Sequence, residues 1–263
     1  MYKKPSEVLV AAVAALVIGS LAAVGCSGGE TLTIGGSTTV QPLSEAWAEV
    51  FITDNSHIEV TVQGGGSSAG VKGAADGTLD IGSASREMKG EEESTWPQLQ
   101  VYHVAADGVA IVVNPGVSIE NLTLAEVKAI FGAGSNDEWT VVNREEGSGT
   151  REVFENIVMS KEKVGARAEY LPSNGAVKQK VASTGNAIGY ISLGYVDSAV
   201  KALTVDGIEC NEETILDGSY PVMRYLNYIT NGEADGAARD FIDFALGPEG
   251  QSIVASEGYI PIE

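Results

Sequence analysis

The sequence predicts an α/β protein in which strands and helices alternate along the chain. Its first half repeats the order of strand, turn rich in glycine and serine, and helix, which is typical of parallel strands joined by helical crossovers. The chain has 263 residues, of which 44% are hydrophobic. This length allows one large or two smaller domains with a substantial buried core.

The first predicted strand, TLTIGG at residues 31–36, leads through a turn into a helix from about Pro42 to Phe51. Leu43, Trp47 and Val50 share one face of this helix, and proline suits a helix's first turn. A second strand, IEVTVQGGG, ends in glycines before the short helix SAGVKGAADG, and TLDIGSAS forms a third strand. The order of these segments indicates a parallel sheet.

The rest of the chain continues the alternation. QVYHVAADG is interpreted as strand and loop, and DGVAIVVNPG as a long apolar strand. Thr123 and Glu126 form a capping box at the start of the helix LTLAEVKAIFG. The remaining predicted elements are the strand WTVV, the helices TREVFENIVM and SNGAVKQKVAS, the strands AIGYISL and YPVMRYLNYIT, and the final helices GAARDFIDFALG and EGQSIVASEG. We find no internal repeat and no long linker, so two separately tethered domains are not expected.

The formal net charge of -20 argues against nucleic acid as a partner, because its phosphates would be repelled. The same charge says little about small anions, since a local site can override the field of the whole protein.

The N-terminus has the pattern of an export signal. Lys3 and Lys4 precede an uncharged apolar run at residues 8–25, and AVGC at its end resembles a lipobox. We therefore predict a signal peptide or lipoprotein leader at residues 1–25, lipidation of Cys26 and a tether at residues 26–30. An uncleaved membrane anchor and a cleaved soluble protein remain alternatives, and all three place the body outside the cytoplasm.

The two cysteines fit this prediction. If Cys26 carries lipid, Cys210 has no partner and no disulfide holds the fold. A bridge between the two cysteines is the alternative, and it would tether only the leader.

Three turns rich in glycine, serine and threonine predict a binding site for an anion. They are GGSTT at residues 35–39, GGGSSAG at 64–70 and EGSGT at 146–150, and each lies between a predicted strand and a predicted helix. Helix N-termini present unpaired N–H groups and partial positive charge, so they bind oxyanions. One such turn is usually only a helix cap, but three at one edge of a sheet favour a shared site.

One of the three turns also matches a motif of serine hydrolases, so an enzyme is the alternative function. Residues 66–70 match G-x-S-x-G, so Ser68 would be a nucleophile with His103 as base and an acid such as Asp80. The motif is short and common by chance, so we expect no enzyme activity. The phosphate-loop motif G-x-x-x-x-G-K-[ST] is absent from the sequence, and no ligand spacing predicts a metal or a cofactor.

Several segments together resemble the PstS-type phosphate-binding proteins of phosphate ABC importers. They are IGGSTTVQPL, VTVQGGGSSAGVKGAADGTLDIGSASREMK, LTLAEVKAIFG, NREEGSGTREVF and GNAIGYISLGYV, with a looser match at the C-terminus. The resemblance implies a two-lobed periplasmic-binding-protein-like fold (type II), each lobe a mixed sheet flanked by helices, with a two-strand hinge. By that analogy one lobe is 31–112 plus 222–263 and the other is 113–221.

The resemblance also implies a ligand, a site and partners. The ligand is inorganic phosphate, the partner is the membrane permease of the importer, and we expect a monomer attached to the membrane by lipid. Glu146 stands where the family has an acid that orients the arginine. Ser85, followed by Arg86, stands where one branch has an aspartate that accepts the phosphate proton, so sulfate or another tetrahedral oxyanion is an alternative ligand. The implied phosphate-binding residues are Ser37, Thr38, Thr39, Ser67, Ser85, Arg144, Ser148, Gly149 and Thr150, supported by Glu146 and Arg86.

Overall fold

The computed structural model describes residues 29–132 and 138–262. The predicted leader and the predicted lipidation of Cys26 lie outside these residues. The strands are β1 Glu30–Gly36, β2 Ile58–Gln63, β3 Ile81–Ala84, β4 Leu99–Val113, β5 Asn121–Leu122, β6 Thr140–Arg144, β7 Glu169–Leu171, β8 Ala187–Ser192, β9 Lys201–Ala202, β10 Thr204–Val205 and β11 Met223–Asn231. The helices are α1 Gln41–Asp54, α2 Ser67–Asp76, α3 Gly90–Thr95, α4 Leu124–Phe131, α5 Gly149–Ile157, α6 Asn174–Ser183, α7 Glu212–Leu216, α8 Gly236–Leu246 and α9 Pro248–Ser256.

Nine strands form a mixed sheet in the order β2-β1-β3-β11-β4-β8-β6-β7, with β9 also paired to β4, and β5 and β10 form a separate two-stranded parallel sheet. The pairs β1–β2, β1–β3, β6–β8 and β6–β7 are parallel, as the strand–turn–helix order predicts. The two central strands, β4 and β11, are antiparallel to each other and to their outer neighbours. Two parallel halves are therefore joined through one antiparallel pair.

Each half of this sheet carries a large hydrophobic core. The first contains Trp47, Phe51 and Phe241, and the second contains Phe154 stacked on Tyr190 at a centroid distance of 4.0 Å. We call β1–β3, α1–α3, α8 and α9 the first lobe, and α4–α7 with β5–β10 the second lobe. The fold is thus the predicted two-lobed α/β architecture with a mixed sheet.

Strand β4 passes from one lobe to the other. Residues 99–108 pair with β11, and residues 109–113 pair with β8. The interpretation of QVYHVAADG as strand and loop is wrong at its end, because β4 runs unbroken through Asp107. This polar residue does not mark a loop, since its carboxylate is fully buried and paired with Arg224 on β11.

Local sequence signals place most of the elements. The Thr123 hydroxyl accepts from the Glu126 N–H at 3.2 Å, and the Glu126 carboxylate accepts from the Thr123 N–H at 2.8 Å, as the capping box predicts. Helix α1 begins at Gln41 and extends to Asp54, beyond the predicted Phe51. Cys210 is buried and has no disulfide partner among the described residues. No helix within 29–132 and 138–262 is long and apolar enough to cross a membrane.

Candidate functional site

The three predicted turns meet between the lobes. The Gly66 N–H donates to the Gly36 carbonyl at 2.7 Å, which joins the first turn to the second. The Ser68 N–H donates to the Gly147 carbonyl at 3.1 Å, which joins the second turn to the third across the cleft. The turns precede α1, α2 and α5, so these three helix N-termini lie together.

Two glycines make this close approach possible. Gly36 has φ +127°, and a Cβ there would lie 2.4 Å from the Ser83 carbonyl oxygen. Gly149, the first residue of α5, belongs to the second lobe, and a Cβ there would lie 2.4 Å from Ser67 Oγ in the first lobe. Glycine is therefore required at position 36 for packing within the first lobe and at position 149 for the contact between the two lobes.

Hydroxyl groups line the junction from both sides. Thr39 Oγ1 lies 3.1 Å from Thr150 Oγ1, and Ser67 Oγ lies 3.4 Å from Ser85 Oγ. Ser148 caps α5, because its Oγ accepts from the Arg151 N–H at 3.3 Å. The predicted hydroxyl residues of the site are all buried: Ser37, Thr38, Thr39, Ser67, Ser85, Ser148 and Thr150. The structure therefore brings together the residues that the motifs indicated.

Arg144 lies at the end of β6 with its side chain only 1% exposed. Its Nε and Nη2 donate to the two carboxylate oxygens of Glu145 at 2.8 and 2.7 Å, and Nη2 also donates to Thr38 Oγ1 at 3.0 Å. Its Nη1 is buried and has no hydrogen-bond acceptor among the described residues. Such a donor is costly to bury without an acceptor, so its position points to an anionic ligand.

The structure corrects the role assigned to Glu146. This residue is exposed, and its neighbour Glu145 forms the bidentate pair with Arg144. The physical reason is in the backbone. The Glu145 N–H donates to the Leu171 carbonyl at 3.1 Å, so the strand pairing of β6 with β7 continues for one residue and holds Glu145 beside the guanidinium.

Arg86 is buried beside the site, and its guanidinium is engaged by acidic residues and by Ser68 of the second turn. Its Nη1 and Nη2 donate to the Glu92 carboxylate at 2.8 and 2.7 Å, and Nη2 also donates to Ser68 Oγ at 3.2 Å. Its Nε lies 3.0 Å from Glu152 Oε2, an ion pair that is not aligned as a hydrogen bond. Burial disfavours the charged form of Glu92, but the hydrogen bonds from Arg86 and from the Lys89 N–H outweigh it and lower the pKa of this carboxyl.

Arg224 is a site residue that the sequence reasoning missed. It donates to Thr150 Oγ1 at 2.9 Å and to Thr39 Oγ1 at 3.3 Å, so it contacts both lobes. Its Nε and Nη2 donate to Asp107 Oδ2 at 3.0 and 2.7 Å, and Nη1 donates to the Ser85 carbonyl at 3.2 Å. Burial lowers the pKa of this guanidinium, and the Asp107 carboxylate opposes that shift. The available signal was a single formally charged residue in each of two long strands, Asp107 in β4 and Arg224 in β11.

Asn174, at the start of α6, was also missed. Its Nδ2 donates to Thr39 Oγ1 at 2.8 Å, and its Oδ1 accepts from the Ser192 N–H at 3.3 Å. This side chain therefore orients a hydroxyl of the first lobe from the second lobe.

The residues of the hydrolase alternative lie apart. Ser68 Oγ accepts from the Arg86 guanidinium, which cannot act as a base. His103 Nδ1 lies 2.7 Å from Asn227 Oδ1, and its ring stacks on Tyr225. Asp80 accepts from Thr33. Ser68, His103 and Asp80, the residues of the alternative triad, therefore each have partners outside that triad.

Comparison with known proteins first gives the class. Residues 22–249 match the family model described as a PBP superfamily domain. A phosphate ABC transporter substrate-binding protein from Clostridium perfringens, described as putative and solved with bound phosphate, is similar over 89% of this chain and 100% of its own, with a TM-score of 0.84 and 38% identity. An ABC-type phosphate transport receptor from Vibrio cholerae covers 88% of this chain and 100% of its own, with a TM-score of 0.74 and 30% identity. The fold is that of this superfamily.

Sequence relatives narrow the class to one family. The phosphate-binding protein PstS of Bacillus subtilis is 35% identical over 246 residues, which are 88% of this chain and 81% of the relative. PstS of Pseudomonas aeruginosa is 29% identical over 263 residues, covering 86% of this chain and 81% of the relative. The chain belongs to the family of PstS-type phosphate-binding proteins.

Proposed function

We propose that this protein is the extracytoplasmic substrate-binding component of an ABC importer and that it holds inorganic phosphate between its two lobes. One observation carries the proposal. Arg144 Nη1 is a buried cationic donor with no acceptor among the described residues, and it lies among helix N-termini and hydroxyls that favour an oxyanion. The names of the relatives, phosphate-binding protein PstS, support the same ligand.

The three buried arginines near the site differ in their free donors. Both terminal nitrogens of Arg86 are engaged by Glu92, Ser68 and the Glu87 carbonyl, and its Nε faces Glu152. Arg224 donates from all three nitrogens to protein oxygens. Of these three arginines, only Arg144 keeps a buried terminal guanidinium nitrogen without an acceptor among the described residues. We therefore assign Arg144 as the charged ligand contact and Arg224 as a positioning residue.

The rest of the proposed site is polar and neutral. Backbone N–H groups at the starts of α1, α2 and α5 supply partial positive charge, and the hydroxyls supply donors that can rotate toward the ligand. The proposed phosphate-binding residues are Ser37, Thr38, Thr39, Ser67, Ser85, Arg144, Ser148, Gly149 and Thr150, with Glu145 in the supporting place first given to Glu146. Because these contacts are short-range and shielded from water, the net charge of -20 does not prevent anion binding.

Calorimetry with a panel of oxyanions tests the ligand. We expect inorganic phosphate to bind more tightly than sulfate, and a phosphate ester to remain unhydrolysed during the measurement. A second tetrahedral oxyanion is the alternative ligand, because Ser85 stands where one branch of the family has an aspartate, and the Glu145 carboxylate is already paired with Arg144. Tighter binding of sulfate than of phosphate would favour that alternative.

We further propose that phosphate closes the two lobes, 31–112 plus 222–263 and 113–221, about β4 and β11. Contacts that cross the cleft, such as Thr39 with Thr150 and Tyr195 with the Thr38 carbonyl, support a ligand-stabilised closed form. Small-angle scattering should give a smaller radius of gyration with saturating phosphate than without it. Superimposable curves, with binding confirmed by calorimetry, would remove the basis for this hinge.

The proposed location is the outer face of the cytoplasmic membrane, with the chain acting as a monomer that delivers phosphate to its permease. The lipobox-like AVGC at residues 23–26 supports an anchor on Cys26. Mass spectrometry of the mature N-terminus tests this, because an unmodified Cys26 in the membrane fraction contradicts lipidation.

A further inference from the structure

Glu152 forms an ion-pair cluster across the mouth of the cleft. It lies in the first turn of α5 in the second lobe, and its Oε2 is 3.0 Å from Arg86 Nε and 3.0 Å from Lys89 Nζ. Both cations belong to the first lobe. The cluster lies outside the proposed ligand contacts, so its charges do not serve to bind phosphate directly.

We infer that Glu152 is an affinity-determining positioning residue, whose ion pairs with Arg86 and Lys89 stabilise the closed form of the protein. This inference rests on the proposed closure around phosphate. The pairs join the two lobes, and they are broken when the lobes separate. A contact made only in the closed form adds to the apparent affinity for any ligand that requires closure.

The first lobe holds its side of this cluster ready. Glu92 accepts from both terminal nitrogens of Arg86, and the Glu87 carbonyl accepts from one of them, so the guanidinium is fixed by groups of its own lobe. The Arg86 side chain is only 3% exposed, and that of Glu152 is 24% exposed. Glu152 therefore meets a cation that is already oriented and partly shielded from water, which limits both the entropy cost and the screening of the pair.

A simpler role for Glu152 predicts the opposite effect on binding. An acid in the first turn stabilises a helix through its dipole, and here the same helix N-terminus faces the anion. If Glu152 did no more than this, neutralising it would remove a negative charge from the neighbourhood of the ligand and tighten phosphate binding. The inferred role requires weaker binding, so the sign of the change separates the two.

The test compares Glu152→Gln with Glu155→Gln in the full-length protein. Both substitutions remove one negative charge from α5, but Glu155 pairs with Arg151 at 2.8 Å and Lys163 at 2.7 Å, both in its own lobe. We expect E152Q to raise the Kd for inorganic phosphate about fivefold, mainly through faster dissociation, and E155Q to change it less than about twofold. Thermal melting of both variants checks that α5 remains folded.

A double-mutant cycle supplies an independent readout. Lys89→Gln should weaken phosphate binding more in the parent than in the E152Q background, because Lys89 has already lost its ion pair in that background. The cycle cancels the long-range effect of each charge and leaves the coupling between Glu152 and Lys89. Equal or tighter binding by E152Q than by E155Q, with no coupling to Lys89, overturns the inference while leaving phosphate binding by the parent intact. A parent protein that does not bind phosphate refutes the proposed function itself, and the inference with it.

Discussion

Replacing Arg144 with alanine is expected to abolish tight phosphate binding while the protein remains folded. The guanidinium is 1% exposed and keeps one terminal nitrogen for the ligand, so its loss removes a desolvated, charge-assisted contact. We expect a loss of at least ~2 kcal/mol, which is more than about tenfold in Kd, measured by calorimetry. The Glu145 side chain is 26% exposed, so water can hydrate it once its partner is gone, and the fold should survive.

Two further variants sharpen this experiment. Arg144→Lys keeps the positive charge, but the lysine ammonium group lacks the planar guanidinium that can contact Glu145, Thr38 and the ligand at once. We therefore expect most of the loss in phosphate affinity to remain. Arg239→Ala removes the same charge from α8 of the first lobe, where the side chain is 49% exposed and pairs with Asp243 of the same helix at 2.9 Å. It should bind phosphate nearly as well as the parent. An R144A protein within a factor of about three of the parent would exclude Arg144 as the main contact.

Arg144 was predictable from the sequence, whereas its acidic partner was not. The motif NREEGSGT places the arginine in the same short segment as the N-terminus of α5, so their proximity is local in sequence. Which of the two following glutamates pairs with it depends on where the pairing of β6 with β7 ends, because the Glu145 N–H is held by Leu171 on β7. This is a contact with a strand more than twenty residues away, and it has no signature in the motif itself.

The pairing of Asp107 with Arg224 was also not predictable, because these residues are still further apart in the sequence. They are paired residues of β4 and β11, and together they support the hydroxyls of Thr39 and Thr150. The long apolar strands were recognised from composition, but the register that places these two charges opposite each other is set by tertiary structure. From the sequence alone, Asp107 was therefore interpreted as part of a loop at the end of a strand. The three glycine-rich turns were found because each is encoded by a few adjacent residues.

The second large effect is expected at Ser85, where an aspartate should widen the preference for phosphate over sulfate. Near neutral pH phosphate still carries a proton part of the time, and sulfate carries none. A fixed carboxylate accepts that proton's hydrogen bond and repels sulfate. In the protein Ser85 Oγ lies 3.4 Å from Ser67 Oγ, and its hydroxyl can rotate to donate or accept, so it rejects sulfate less sharply. We expect measurable sulfate affinity in the parent and about a tenfold gain in discrimination in Ser85→Asp.

Competition calorimetry with phosphate and sulfate measures this effect, and Ser85→Asn is the matched control. Asparagine has the size of aspartate without its charge, so S85N should lose affinity for both anions without gaining discrimination. Steric cost is real here, because Gly149 packs against this position and a Cβ on that glycine would lie 2.8 Å from Ser85 Oγ. Comparing the two variants separates this crowding from the effect of charge.

If the parent already excludes sulfate and S85D leaves the ratio of the two affinities unchanged, the proton of the phosphate is recognised elsewhere. Glu145 would then be the next residue to test, since one of its oxygens would have to leave Arg144 and turn toward the ligand.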